Sequence, residues 1–94
     1  MRSIINNEKV CILCGDNRHI DKHHVYGAGN RSISERNGFW VYLCHKCHMS
    51  LHENREEDLM LKEMVQRQYE KKHSRKEFMK LIGRNYLEEE NDNN

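Results

Sequence analysis

Two pairs of cysteines share one spacing: Cys11-x2-Cys14 and Cys44-x2-Cys47, with 29 residues between the pairs. Two thiols three positions apart fit one tight turn. Two such turns brought together make a closed S4 tetrahedron, the arrangement zinc takes in structural sites. Four free thiols in a reduced protein would account for each cysteine but not for the repeated spacing. A site built from Cys44, Cys47 and His48 or His52 alone would leave the first pair without use. The second set of chemical groups is imidazole. His23 and His24 are adjacent, and His48 and His52 lie four apart, just after the second knuckle. Imidazole suits zinc, nickel, copper or iron, whereas magnesium and calcium prefer oxygen ligands. Three such ligands leave coordination positions open for water and substrate, as catalytic sites require. A fourth histidine, titrating near neutrality, is suited to take a proton from an attacking water. A metal held by the three could act as a Lewis acid on a phosphodiester and stabilise its leaving oxygen. The remaining histidines, His19, His45 and His73, need no special role in a small polar chain.

The elements that must position these groups are legible in outline. Val10 to Gly15 forms the first knuckle, with Gly15 as its permissive backbone position. Ile20 to Tyr26 is a candidate strand ending at Gly27. Residues 27–38, punctuated by Gly, Asn and Ser, are expected to be loop. Phe39 to Leu43 is aromatic and β-branched, the strongest strand signal in the chain, and it runs straight into the second knuckle. From about Lys46 the pattern turns helical, and a spacing of four puts His48 and His52 on one helix face. A second helix is expected over about Glu56 to Lys72. Asn54 can cap it, Glu56, Glu57 and Asp58 suit its N-terminal end, and Met60, Leu61, Met64, Val65 and Tyr69 make its apolar stripe. Ser74-x2-Glu77 is a capping box opening a short helix, with Phe78, Leu81 and Ile82 inward and Gly83 as its stop.

Composition bounds the answer. The chain has 94 residues, of which 33% are charged and 36% hydrophobic, so it cannot bury a large apolar core. Domains of this size commonly need a metal or disulfide staple. No apolar run approaches the ~18 residues of a membrane-spanning helix, and the first residues lack a signal-peptide core. A cytoplasmic, reduced protein is therefore expected, with its cysteines as metal ligands. The formal charge is +1, but four of the fifteen acids lie in residues 88–94, leaving sixteen bases against eleven acids in the rest. A basic body with an acidic end is compatible with a nucleic-acid partner. The end itself is expected to be a disordered solubilising tail.

Cys11-x2-Cys14, Asp21-Lys-His-His24-Val and Leu43-Cys-His-Lys-Cys-His48-x3-His52 together resemble the HNH endonucleases, whose fold is the ββα-metal finger. The resemblance covers residues 11–53. It implies an α+β fold: a zinc-stapled ββα finger over 1–54, then two α-helices over 55–87, then the acidic tail over 88–94. It implies a structural zinc on Cys11, Cys14, Cys44 and Cys47. It also implies a catalytic divalent metal (Mg, Mn, Ni or Zn) on His23, His48 and His52, with His24 as general base. The family's central Asn corresponds to Asn37, with Asn30 as the alternative. Phe39 occupies the region where that Asn more usually falls. Adjacent strand residues point to opposite faces, so His23 and His24 can share one site only if the strand ends or twists there. The implied activity is one-metal hydrolysis of DNA phosphodiesters, leaving 5′-phosphate and 3′-hydroxyl ends, by nicking or double-strand cutting with little sequence preference.

The stretch from His24 to Ser32, with Trp40 to Cys44 and the ending Phe78 to Leu87, resembles small phage and prophage HNH proteins related to recombination-enhancement nucleases. Within that group a recombinase or another phage or host DNA-processing protein is an expected partner, in the bacterial cytoplasm. Arg18, Arg31, Arg36 and Lys46 surround the expected site and could meet phosphates without reading sequence. Arg67, Lys71, Lys72, Arg75, Lys76 and Lys80 could extend that track, or form a solvated face laced with pairs such as Glu63 with Arg67. A monomer or homodimer is compatible with the chain. The alternative function is a zinc-stapled nucleic-acid-binding or phage adaptor module without cleavage.

Overall fold

The computed structural model describes residues 1–87, so the tail expected over 88–94 lies outside the described residues. Strand β1 (Ile20–His24) pairs antiparallel with β2 (Trp40–Cys44), and together they form a two-stranded sheet. The register sets Ile20 opposite Cys44, Asp21 opposite Leu43, Lys22 opposite Tyr42, His23 opposite Val41 and His24 opposite Trp40. Side chains alternate along each strand. Asp21 and His23 therefore share a face with the buried Val41 and Leu43, while Lys22 and His24 share the other with Trp40.

The connection between the strands corrects the expectation of loop over 27–38. A single 3-10 turn (Ala28–Asn30) leads into helix α1 (Arg31–Asn37). This helix has no apolar stripe. Its one fully buried residue is Ser34, whose hydroxyl donates to the Tyr26 carbonyl at 2.7 Å. Gly38 stops it in the left-handed region at φ 73°. A Cβ at Gly38 would collide with the Arg2 carbonyl, because the N-terminal segment lies against this turn, with the Ile4 amide donating to the Gly38 carbonyl at 3.0 Å.

Helix α2 (His45–Leu51) begins directly at the end of β2, with Cys44 as its N-cap. Helix α3 (Arg55–Tyr69) starts where expected. Asn54 Oδ1 accepts from the Glu57 amide at 3.0 Å, and three acids fill the first turn. It ends at Tyr69, short of Lys72. Helix α4 (Arg75–Ile82) carries the full reciprocal capping box of Ser74 and Glu77 and stops at a left-handed Gly83. Phe78 and Ile82 are buried, and Leu81 is half-buried.

The described residues form a small α+β fold with a two-stranded sheet and four α-helices. One apolar cluster joins the strands to the C-terminal helices: Val25, Tyr26, Phe39, Val41 and Leu43 pack with Leu61, Val65, Phe78 and Ile82. The expected α3 stripe faces this cluster through Leu61 and Val65, while Met60 is exposed. Tyr26 lies at the centre, with its ring about equidistant from Phe39, Phe78 and Tyr86 (5.5–5.6 Å). Its hydroxyl donates to the Lys62 carbonyl of α3 at 2.6 Å. No helix is long and apolar enough to cross a membrane, among the described residues.

Candidate metal and histidine sites

The four cysteines meet at the end of the sheet where Ile20 faces Cys44. The first knuckle turns through Gly15, at φ 82°, whose amide donates to the Cys11 carbonyl at 2.8 Å. The second is built by the start of α2, where the Cys47 amide approaches Cys44 Sγ at 3.4 Å. All four sulfurs lie within 4.8 Å of one another, and Cys14 Sγ is 3.8 Å from Cys44 Sγ. A tetrahedron with zinc–sulfur bonds of about 2.3 Å sets its sulfurs about 3.8 Å apart. A disulfide would need about 2.05 Å. The quartet therefore fits a structural zinc site. Its electrostatics agree. Burial and the three neighbouring thiols push Cys47 well above the usual thiol range. Cys11 moves the other way despite its burial, drawn down to about 6 by hydrogen bonds from the Cys44, Cys14 and Leu13 backbone. Four sulfurs so close cannot all ionise unless a cation shares the space.

The histidines occupy the other end of the same sheet and the adjoining helix. His23 and His48 meet edge to face with ring centroids 5.1 Å apart, and His48 stacks on His52 at 6.2 Å. His23 and His24 are the last two residues of strand β1 and point to opposite faces of the sheet. Two adjoining hollows are both lined by His23, His24 and Gly27; one also takes in His48 with Lys22 and Arg31, the other His52 with Arg55 and Lys62. Among the described residues only the cysteine quartet gathers its ligand atoms within 4.8 Å; the nitrogens of His23, His48 and His52 do not.

Each histidine has a distinct setting. His23 Nε2 is buried and has no hydrogen-bond partner. Burial, then the nearby His48, draws its titration down to about 4, so the ring is neutral at pH 7. A buried polar nitrogen left unpaired costs about 1–3 kcal/mol. His48 Nδ1 is 2.9 Å from Asp21 Oδ2, and His45 Nδ1 reaches the same oxygen at 3.0 Å. The bonds to His48 and His45 hold the Asp21 carboxyl below its usual range. With Nδ1–H donated to Asp21, Nε2 of His48 keeps its lone pair, the carboxylate–histidine arrangement common behind metal ligands. His24 Nε2 lies 2.6 Å from Glu35 Oε1, while Lys22 Nζ donates to Glu35 Oε2 at 2.9 Å. Lys22, then His24, hold the Glu35 carboxyl at about 2.

The other candidates divide between these places. Arg31 and Arg36 line a hollow beside His24 and Glu35. Arg18 and Lys46 line a separate one with His45, and Arg18 Nε is 3.3 Å from Asp16. Asn37 is not beside His24. Its Nδ2 donates to the Ile33 carbonyl of its own helix at 2.9 Å, and it lines a cleft with Ile4, Tyr69 and His73. Asn30 donates to the Ile82 carbonyl at 3.0 Å. The partner of His24 is Glu35, carried in by α1. Glu35 and Arg55 are site residues that sequence reasoning passed over, and Asp21, though part of the quoted motif, was given no role there. Asp21 could have been found from alternation, since it lies two residues before His23 and therefore on its face. Glu35 could not, because its helix has no apolar period. His45, set aside on sequence, shares the Asp21 carboxylate.

No protein-family model, curated protein or solved structure matches this chain.

Proposed function

We propose that this protein is a metal-dependent DNA endonuclease of the HNH type, its β1, β2 and α2 forming a ββα-metal finger that hydrolyses phosphodiesters. The observation that carries the proposal is His23 Nε2, a buried neutral nitrogen with no partner, beside His48, whose Nδ1 is already committed to Asp21. His48 so arranged offers a lone pair at Nε2, beside a His23 nitrogen that no protein group holds. His52 completes the donor set from the same helix face. A divalent cation of the imidazole-preferring class fits these residues, and once bound it would supply Lewis acidity toward the phosphate and its leaving oxygen. His24 takes the proton of the attacking water on the ring nitrogen that Glu35 does not hold. The water oxygen bonds to phosphorus, the bond to the 3′ oxygen breaks, and that oxygen takes a proton from solvent water to leave as the 3′-hydroxyl. Arg31 beside one hollow and Arg55 beside the other have no ion-pair partner among the described residues and are free to hold flanking phosphates.

A second reading is favoured by one observation. The histidine nitrogens are not gathered as the sulfurs are. A zinc-stapled nucleic-acid-binding module without cleavage would show the same quartet and the same basic rim. Plasmid nicking by wild type and His24→Ala across Mg, Mn, Ni and Zn separates the two. The nuclease reading expects wild type to nick with at least one of these metals, and His24→Ala to keep its fold and tight zinc while losing about 100-fold or more in rate. A wild type inert with all four metals leaves the binding module.

A further inference from the structure

We propose that Glu35 is the positioning residue of His24: its carboxylate accepts the Nε2 proton and so fixes the tautomer in which Nδ1 is the free base. The inference rests on the nuclease reading for its consequence, but not for its geometry. Three observations build it. The Nε2 to Oε1 distance is 2.6 Å, the short separation of a charge-assisted bond, and a carboxylate can only accept. His24 is largely enclosed, with 14% of its side chain exposed, so the ring has little freedom to turn to another partner. The other oxygen of Glu35 is occupied by Lys22, which stands two residues before His24 on the same strand face and lies over the Trp40 ring at 4.3 Å. The carboxylate thus has one oxygen on each of two side chains of the same strand face, which holds it against the imidazole. When His24 gains a proton at Nδ1, the imidazolium that forms lies against a fixed negative charge. The chain order is Lys22, His24, then Glu35 from α1, and neither Asn30 nor Asn37 contributes.

Glu35→Gln gives a sharp test, because Lys22 is a donor only. The amide oxygen of the variant must face Lys22, which turns its NH2 group toward His24 Nε2. That nitrogen must then accept, and the ring proton moves to Nδ1. Long-range proton–nitrogen NMR on histidine-labelled, zinc-loaded protein reads this directly. Wild type is expected to show the Nε2–H tautomer, Glu35→Gln the Nδ1–H tautomer and Glu35→Ala a mixture. In metal-dependent plasmid nicking, Glu35→Gln is expected to lose about 100-fold or more in kcat while KM changes less than about threefold. Retention of the Nε2–H tautomer in Glu35→Gln, or nicking at the wild-type kcat, would overturn the inference. Should wild type nick with none of the metals, the nuclease reading falls, and the tautomer measurement alone still decides whether Glu35 sets His24.

Discussion

Asp21 illustrates what a single carboxylate can do at the residue scale. One oxygen accepts from two imidazoles, His45 and His48, three positions apart on the first turn of α2. Only His48 faces His23, so Asp21 orients the ring that matters and also ties the helix to β1. Partners behind a ligand typically contribute 10–100-fold in metal affinity. Asp21→Ala is therefore expected to weaken nickel or zinc binding at the histidines by about 10–100-fold, with the cysteine-bound zinc retained. Calorimetric titration of zinc-loaded protein measures this, and an unchanged affinity would show that Asp21 serves only the fold. Much at this scale was legible in the sequence. The two knuckles meet as their spacing implies, and the His48 ring neighbours those of His23 and His52, though their nitrogens are not gathered as the sulfurs are. What was not legible is which partner each ring takes, because that depends on the angle at which a helix crosses a strand.

Among the elements, legibility followed locality. The capping box at Ser74 and the left-handed stop at Gly83 are decided by neighbours in the chain, and α4 starts and stops where they say. Helix α1 is decided by a distant contact, the Ser34 hydroxyl on Tyr26, and shows neither stripe nor N-terminal cap bond. Without it Glu35 has no place in a sequence argument. The joint between α3 and α4 is held by Glu70, whose Oε2 accepts from Arg75 at 2.7 Å and from the buried Gln66 amide at 2.8 Å. Burial acts to raise the Glu70 carboxyl, but the bonds from Arg75 and Gln66 outweigh it and hold it below the usual range. A depressed folded value means that the stabilisation is fully present above the unfolded value of about 4.3 and is lost as pH falls through the folded value. The urea midpoint of wild type should therefore fall on acidification below about pH 4, and that of Glu70→Gln should start lower and fall less. Parallel acid profiles for the two proteins would remove Glu70 from this role.

At the scale of the whole molecule, the sulfur site is expected to matter to folding as much as the small core does. Among the described residues thirteen apolar side chains are buried, and the cluster that twelve of them form spans both the sheet and the last two helices. Metal binding in small domains of this kind is itself folding free energy. Cys11→Ser is expected to cost cooperative folding, seen as a broadened or absent thermal transition, while wild type carries one tight zinc per chain whose removal by chelator has the same effect. A soluble Cys11→Ser protein that melts cooperatively near the wild-type temperature would show that the core suffices alone. The basic body that the composition implied takes spatial form as Arg31 and Arg36 beside His24, with Arg18 and Lys46 grouped separately near His45.

The pairing of Ile20 with Cys44, hard against the knuckles, has a consequence for how the chain can vary in length. Because facing reverses at every step along a strand, tolerance to added residues in β1 should follow parity. One residue inserted after Lys22 would push His23 outward to the place of His24 and His24 on to that of Val25, and is expected to abolish metal binding at the histidines while leaving the bound zinc untouched. A pair of residues at the same point would restore the facing and part of the affinity. Additions between Asp16 and Arg18, ahead of the ladder, should pass unnoticed whether odd or even.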